Sequence, residues 1–373
     1  MMPGTRCGEP QVVTIRHVLF SERHNLDKTH PELLRQYPQF PNPYLADATA
    51  YWDDFPYAFY AIEDGTVASY LNSFPDTLHW RQRQFKWAWN ANLFTDPAFR
   101  GRGLAQKIIE HQLALFSEQG LVWGGTFSSD PALRLYRKLG FNVVGAAPRM
   151  CRLRNPRAFL SHHLRSNLLV DLLSGAYRLA YGSAKLLVHR ERSLKKTYSV
   201  EPIRVDELAA LETDFPVQYG ACAHWNDEPA LIRAKMEARK SDQIALVRDR
   251  SGKPLLFFIW RVRDTVERPI RERYSGVKMF SVMDFGYLSS ETPAHLLVQA
   301  AVSSFEQSAA DLLEIIVSPP AMQRAARKYG FIPLGSGMSF TFKAPPGHAL
   351  AKLDTSIADW HLTHYSGDGF SFE

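Results

Sequence analysis

Two arginines and two glycines alternate at positions 100–103, in the stretch TDPAFRGRGLAQK, and a helix-like pattern starts near Leu104. Glycines at the start of a helix leave backbone N–H groups without partners inside the helix, and the missing side chains let an anion approach them. The positive end of the helix dipole and the guanidinium groups of Arg100 and Arg102 add to this attraction. The stretch therefore predicts a phosphate-binding loop.

The loop is neither of two better-known phosphate cradles, because the chain lacks the patterns GxGxxG and GxxxxGK[ST]. A plain basic turn is the competing interpretation, and an internal repeat helps to decide between them. The segment RKLGFNVVG at 137–145 matches RKYGFIPLG at 327–335, an offset of 190 residues. A repeat of this length indicates two copies of one domain.

The elements that position the loop support the same repeat. The first half reads β-α-β-β-β-α-β-α-β, with a hairpin turn at Asp64-Gly65 and a final strand or hairpin over residues 141–153. The second half repeats this order, with its hairpin turn at Ser251-Gly252 and a closing segment over residues 331–342. Both halves therefore predict the same mixed α/β unit.

The second copy lacks the glycine loop. At the same offset, positions 100–103 correspond to Ser290, Glu291, Thr292 and Pro293. If the glycines only turned the chain, the second copy would need them as well. Their restriction to the first copy favours a ligand in that copy alone.

Residues 100–105, RGRGLA, resemble the Q/R-x-x-G-x-G/A signature of the GNAT superfamily of acyl-CoA-dependent N-acyltransferases. Residues 132–141, ALRLYRKLGF, resemble the second marker of that family, with Tyr136 in the tyrosine position and Ala326 at its counterpart in the second copy. The resemblance covers roughly residues 10–155, and a degenerate form of it covers about 197–345.

This resemblance implies roles for named residues. Backbone amides would hold the coenzyme A pyrophosphate at Arg100, Gly101, Arg102, Gly103, Leu104 and Ala105. The pantetheine arm would follow the main chain at Leu93, Phe94 and Thr95, where the fourth strand diverges from the fifth. Tyr136 would lie beside the thioester sulfur and protonate the leaving thiolate; the alternative is a core aromatic residue. The family often has asparagine seven residues before this tyrosine, where this chain has Ser129.

Acyl transfer also requires a neutral amine, and a lysine-like amine has a pKa of about 10.4. The family commonly places a carboxylate on the fourth strand, but residues 85–94, FKWAWNANLF, contain none. The candidate bases elsewhere are Asp53, Asp54, His79, His111 and Asp130. Each fits a surface or capping position at least as well, so we expect a water-mediated route.

The segment QYPQFPNPYLADATAYWDDFPY, residues 36–57, fills the region where this family builds its acceptor pocket. Its aromatic and proline side chains suit stacking on a sugar ring, and they equally suit a packed lid. Both interpretations stay open.

The net charge of +6 is concentrated in one segment of the 373-residue chain. Residues 152–196 contain ten lysines and arginines and two acidic residues, a net charge of +8. Between Asn167 and His189 polar residues, Ser174 among them, recur at spacings of three and four and form a polar stripe. This periodicity predicts a basic amphipathic helix, either packed between the two domains or lying on an anionic membrane surface through residues 157–192. A protein that binds nucleic acid usually spreads its basic residues over one face of a domain. This sequence shows no such distribution, so we expect no nucleic-acid partner.

Three widely spaced cysteines, with no metal-ligand spacing, predict no metal and a reducing cytoplasmic location. The N-terminal residues lack the apolar core of a secretory signal, and no apolar run is long enough for a transmembrane helix. Association with the inner face of the membrane remains an alternative, and the oligomeric state is left open.

Together these observations predict an α/β protein with two GNAT-like domains, each a mixed six- to seven-stranded sheet flanked by helices. The expected parts are a catalytic acyl-CoA-binding domain (10–155), a basic helical linker (156–196), a degenerate domain (197–345) and a tail (346–373). The expected function is transfer of an acyl group, most simply acetyl from acetyl-CoA, through a tetrahedral intermediate. The acceptor would be an amine, with an amino sugar or a glycan or lipid-carrier intermediate as the candidate class. A non-enzymatic sensor or scaffold that binds coenzyme A or a polyphosphate is the alternative.

Overall fold

The computed structural model describes residues 12–22, 24–37, 54–80, 83–127, 130–161, 164–191, 198–209, 211, 242–264, 277–288, 292–335 and 337–364. These residues form two seven-stranded mixed sheets with helices packed against them. The α/β class and the paired domains are thus confirmed.

The strands of the first half are β1 (Val13–Leu19), β2 (Pro56–Glu63), β3 (Thr66–Trp80), β4 (Arg83–Thr95), β5 (Val122–Phe127), β6 (Asn142–Ala147) and β7 (Arg149–Leu153). Its helices are α1 (Leu26–Thr29), α2 (Pro31–Gln36), α3 (Leu104–Glu118), α4 (Asp130–Lys138), α5 (Pro156–Ser161) and α6 (Asn167–Glu191). A short 3-10 helix, Pro97–Phe99, precedes α3.

The strands of the second half are β8 (Tyr198–Ile203), β9 (Gln243–Asp249), β10 (Pro254–Asp264), β11 (Lys278–Tyr287), β12 (Leu312–Ile316), β13 (Ile332–Pro333) and β14 (Met338–Lys343). Its helices are α7 (Val205–Ala209), α8 (His295–Gln307) and α9 (Pro320–Lys328). The first residues of β12, α9 and β13 lie 190 positions after those of β5, α4 and β6, as the repeat predicts.

Both sheets are antiparallel except at one central pair. In the first sheet β4 and β5 run parallel, and in the second sheet β11 and β12 do. Each parallel pair is joined by a crossover helix, α3 or α8, as parallel neighbours require. The predicted hairpin turns at Asp64-Gly65 and at Gly252 are present, with φ values of 50°, 75° and 86°.

The two sheets exchange strands. The first sheet has the order β1-β2-β3-β4-β5-β14-β6, and the second has the order β13-β7-β12-β11-β10-β9-β8. Strand β14 therefore pairs with β5 and β6, while β7 pairs with β12 and β13. The expected hairpin over residues 141–153 is wrong, because β6 and β7 lie in different sheets. The expected boundaries 10–155 and 197–345 differ from the sheets by one strand each.

The chain after β14 returns to the first domain. Trp360 is fully buried there, with its ring centroid 4.6 Å from that of Phe340 and 6.1 Å from that of Trp87. The indole of Trp87 passes over Gly124 on β5, where any side chain would clash with it. A glycine at this position thus lets one aromatic cluster cover the first sheet on the face opposite α3.

The linker helix α6 packs on the second sheet through one narrow stripe. Val170 and Ser174 are buried, and the hydroxyl of Tyr177 accepts from the backbone N–H of Leu153 at 2.8 Å and donates to the carbonyl of Gly330 at 3.3 Å. Five leucines on the same helix are exposed to solvent. In the part of α6 whose side chains the structure describes, these leucines lie outside the packed stripe. No helix among the described residues is long and apolar enough to cross a membrane.

Candidate functional site

The loop before α3 has the conformation that its glycines predict. Gly101 and Gly103 have φ values of 81° and 75°, in the left-handed region that side chains disfavour. Gly103 is the N-cap residue of α3 and supplies no side-chain cap. The first backbone N–H groups of α3 therefore lack side-chain capping from that residue, which is the arrangement that binds phosphate at helix N-termini.

The two arginines of this loop fold back onto the protein. Arg102 forms a 2.9 Å ion pair with Glu63 at the end of β2, and its guanidinium lies 5.0 Å from the ring centroid of Phe99. Arg100 donates from Nε to the carbonyl of Thr95 at 3.3 Å. Glu63 is only 2% exposed, so this ion pair fixes the loop to the sheet. Both arginines thus hold the loop in place, and the charge of Arg102 is paired with that of Glu63.

The fourth strand diverges from the fifth beside this loop. Pairing between β4 and β5 ends at Trp89 and Gly124. Asn92 then adopts a φ of 55°, where the register between β3 and β4 shifts. This bulge changes the direction of the main chain at Leu93, Phe94 and Thr95. These three residues follow the last β4–β5 pair, so they are not paired with β5.

The end of β4 is held on its other side by β3. The hydroxyl of Ser69 donates to the carbonyl of Phe94 at 2.7 Å and lies 2.9 Å from the hydroxyl of Thr95. Asp96 donates its backbone N–H to Ala68 at 3.0 Å. The segment that the resemblance assigns to pantetheine is therefore firmly attached along one edge and diverges from β5 along the other.

Tyr136 lies below the surface at the end of a buried polar chain. Its phenol oxygen accepts a 2.8 Å hydrogen bond from the side-chain amide of Asn90 on β4. The carbonyl of that amide accepts from Gln112 on α3 at 3.0 Å and from Ser73 on β3 at 3.4 Å. Tyr136 also packs edge-on against Phe141, with ring centroids 4.7 Å apart. One network thus joins β3, β4, α3 and α4.

The direction of these hydrogen bonds fixes the role of the phenol oxygen. Gln112 donates to Asn90, so the Asn90 amide presents its carbonyl to Gln112 and its NH₂ group to Tyr136. The phenol oxygen is the acceptor in that bond, so the bond does not use the phenol hydrogen. This arrangement is compatible with a phenol that donates its proton to a third group.

The corresponding helix start in the second domain is built differently. Helix α8 begins at His295, and the hydroxyl of Thr292 donates to the carbonyl of Leu255 at 3.1 Å just before it. Tyr287 donates to the carbonyl of Ala294 at 3.2 Å. The counterpart of Tyr136, Ala326, is a buried core residue. In the described part of this domain, Pro293 thus stands at the position of Gly103, and Ala326 stands at the position of Tyr136.

The candidate bases do not converge on β4. His111 has its Nε2 atom 3.3 Å from Nδ1 of His17, between α3 and β1, and burial lowers the pKa of both imidazoles. His79 pairs with Gln84 near the far end of the β3–β4 ribbon. Asp54 and Asp130 are exposed. Asp53 and Ser129 lie outside the described residues.

Three aromatic side chains form a half-buried group on the face of β3 and β4 opposite Gln112. The ring of Tyr37 lies 4.8 Å from that of Tyr70 and 6.2 Å from that of Phe94, and Tyr70 and Phe94 are 5.5 Å apart. Tyr37 belongs to the aromatic segment 36–57, of which residues 38–53 lie outside the described part. Phe94 places this group at the end of β4 that leads to the glycine loop.

The sequence did not indicate several contributors to this site. They are Glu63, Ser73, Asn90, Asn92 and Gln112. Polar residues within otherwise apolar strands and helices could have indicated them, because a buried polar side chain needs hydrogen-bond partners. Among the described residues no group of three metal-ligating side chains occurs.

The two seven-stranded mixed sheets correspond to two GNAT-like domains, and the glycine loop, the divergent strand and the tyrosine helix all lie in the first of them. The family model of the acetyltransferase (GNAT) family matches residues 26–141, from α1 to the end of the tyrosine helix. Residues 26–141 are therefore similar to GNAT acetyltransferases over less than half of the chain. A comparison with curated protein sequences gives no match.

Solved structures share the whole two-domain fold at low sequence identity. A probable N-acyltransferase from Enterococcus faecalis V583 has a TM-score of 0.54 at 11% identity, covering 89% of this chain and 73% of that one. The N-myristoyltransferase of Saccharomyces cerevisiae with bound myristoyl-CoA has a TM-score of 0.53 at 9% identity, covering 92% and 86%. A GCN5-related N-acetyltransferase from Anabaena variabilis has a TM-score of 0.52 at 13% identity, covering 89% and 73%. At these identities the similarity establishes the fold.

Proposed function

We propose that this chain transfers an acyl group, most simply acetyl, from acyl-CoA to an amine. The observation that carries the proposal is the left-handed glycine loop at the start of α3, next to the point where β4 leaves β5. The loop amides at Arg100, Gly101, Arg102, Gly103, Leu104 and Ala105 would hold the pyrophosphate. The main chain of residues 93–95 would bind the pantetheine arm.

Tyr136 is the proposed proton donor to the leaving thiolate, and Asn90 positions it. Because the Asn90 amide donates to the phenol oxygen at 2.8 Å, the phenol hydrogen serves as the donor. Ser129 would support the pantetheine arm with its hydroxyl. A water relay is proposed to deprotonate the amine, since no described acidic side chain or imidazole lies on the divergent part of β4.

An amino sugar, or an amine on a glycan or lipid carrier, is the proposed acceptor class. The half-buried group of Tyr37, Tyr70 and Phe94 supports this choice, because flat aromatic faces bind the apolar face of a ring. The second domain would shape the acceptor site without binding coenzyme A itself. The proposed setting is the reducing cytoplasm.

The test has two stages, first calorimetric titration with acetyl-CoA and then thiol release with a panel of amino sugars and simple amines. The expected result is binding, followed by thiol release with at least one amine and loss of turnover in Tyr136→Phe. Binding without turnover on the whole panel, with Tyr136→Phe indistinguishable from wild type, would instead support a coenzyme A sensor or scaffold. Absence of binding would reject both functions.

A further inference from the structure

Helix α6 carries an apolar surface that the rest of the described chain leaves uncovered. Its five members are exposed by 47–78%, and we call them the leucine face: Leu168, Leu169, Leu172, Leu173 and Leu179. Residues spaced by three, four and seven positions lie on one side of a helix, so these leucines form a continuous band. A contiguous exposed apolar band of this kind marks an interaction surface.

The leucine face is held outward by the opposite side of the same helix. Val170 and Ser174 are buried against the second domain, and Tyr177 is hydrogen-bonded to the backbone of Leu153 and Gly330. An ion pair of 3.2 Å between Arg157 and Asp171 ties α6 to α5. The helix thus cannot rotate its leucines inward without breaking these contacts.

The charge around this band is positive. Arg165, just before the helix, and Arg178, on its flank, are exposed. Residues 157–192 contain six basic and two acidic residues, and Lys185, Arg190 and Arg192 continue the positive charge along the sequence. Pairing with a second copy of the helix would bring two cationic segments together, whereas an anionic lipid surface supplies the opposite charge.

We propose that α6 binds an anionic membrane surface, with the leucine face in the interface between headgroups and acyl chains and the basic residues among the headgroups. Such a helix lies in the plane of the interface and binds through buried apolar area together with attraction to anionic lipid. The inference concerns a different surface from the glycine loop and does not depend on the acyl-transfer proposal.

The test is co-sedimentation of the full chain with vesicles of phosphatidylcholine alone and of phosphatidylcholine mixed with anionic phosphatidylglycerol. The expected result is salt-sensitive binding to the mixed vesicles. The combined substitutions Leu168→Gln, Leu172→Gln and Leu179→Gln should weaken it by about tenfold or more. Arg165→Gln with Arg178→Gln should reduce the preference for the anionic lipid.

Val12→Gln with Val200→Gln is the matched control, because these residues are exposed apolar side chains outside α6. The control variant should bind like wild type, and circular dichroism should show all variants folded. Absence of binding, or equal binding by wild type and the triple leucine variant, would overturn the proposal. Sedimentation velocity identifies the competing case, in which the leucine substitutions convert a dimer to a monomer and vesicles bind neither.

Discussion

The side-chain amide of Asn90 donates a 2.8 Å hydrogen bond to the phenol oxygen of Tyr136, joining the divergent strand β4 to the tyrosine helix α4. Both residues are fully buried, and Gln112 fixes the orientation of the amide from the side of α3. One bond between two elements of the site thus positions the proposed acid, and the phenol oxygen is the acceptor in it.

Removing the phenol should separate catalysis from binding. We expect Tyr136→Phe to lower kcat by about 10²–10⁴-fold, the usual contribution of a general acid, with little change in the Kd of acetyl-CoA. Tyr287→Phe is the control, since that buried phenol donates to Ala294 in the second domain. It should cost about 1 kcal/mol of stability with unchanged kcat. Equal kcat in the two variants would contradict the role of Tyr136.

Reversing the polarity of the bond tests the positioning role of Asn90. In Asn90→Asp the new carboxylate accepts from the phenol, so the phenol hydrogen is no longer available to the thiolate. We expect kcat to fall at neutral pH and to recover partly as the pH is lowered and the carboxylate gains a proton. A pH–rate profile measures this change. A uniform loss at every pH would indicate a merely structural effect.

The glycine loop should tolerate no side chain without loss of coenzyme A binding. In Gly103→Ala the left-handed conformation costs about 1–2 kcal/mol, and a relaxed loop would move its amides. We expect the Kd of acetyl-CoA to rise by about tenfold, which corresponds to about 1.4 kcal/mol. Calorimetric titration measures it.

Gly252 provides a matched control for this loop. It has a φ of 86° and, like Gly103, has no atom within 4 Å of an added Cβ. Gly252→Ala should therefore lower the free energy of unfolding by a similar amount and leave the Kd unchanged. An equal rise of Kd in both variants would show that general destabilisation, and not the loop, weakens binding.

The exchanged strands should make the two domains unfold together. Phe340 is fully buried in the first sheet although it belongs to the second half of the sequence, and Phe340→Ala should cost about 3–5 kcal/mol. Cys151 lies on the other exchanged strand, β7, where burial raises the pKa of its thiol to about 12 and suppresses labelling in the folded state. The thiol therefore reports release of β7 from the second sheet.

The measurement follows tryptophan fluorescence and Cys151 labelling through denaturant unfolding, with Cys7 and Cys222 replaced by serine. We expect Phe340→Ala to shift both midpoints by the same amount. Val200→Ala, at a half-exposed site on β8, should shift neither appreciably. Persistent protection of Cys151 after the fluorescence change would mean that the sheets unfold separately.

Local features of the fold were predictable from the sequence, while pairing across the two halves was not. The turns at Asp64-Gly65 and Gly252 follow from residues adjacent in sequence. The exchange of β7 and β14 depends on which sheet accepts each strand, and the alternation of side chains is the same in either sheet. The predicted glycine loop needed only neighbouring residues, whereas Asn90 and Tyr136 are separated by 46 positions.

The linker helix shows the same limit in another way. Its periodicity indicated a helix, and α6 lies there, but the periodicity did not indicate which side of the helix would pack. Ser174, from the polar stripe, is buried, while Leu168 and Leu179 are exposed by 71% and 78%. The contacts of Val170 and Tyr177 with the second domain decided the orientation, and no pattern within the helix specifies such contacts.

The C-terminal segment should make stability depend on pH. His364 is buried beside Glu314 at 3.5 Å, and burial lowers the pKa of its imidazole to about 3. Burial alone would raise the pKa of Glu314, but the positive charges of Arg149 and Arg263 and the hydrogen bond from Arg149 hold it at about 2. The folded state therefore keeps His364 neutral and Glu314 ionised at pH values where the unfolded chain is protonated.

The sign of the effect follows from proton uptake. Below the ordinary imidazole value of 6.5 the unfolded state gains a proton that folded His364 does not, so stability falls by about 1.4 kcal/mol per pH unit. Glu314 adds the same loss of stability below its ordinary pKa of 4.5.

We expect His364→Gln to reduce the loss of stability between pH 6.5 and 4.5, measured by denaturant unfolding. Because burial lowers the pKa of His17 and His111 as well, His111→Gln serves as a reference for a half-buried imidazole. Parallel pH curves for wild type and His364→Gln would show that the buried imidazole does not contribute.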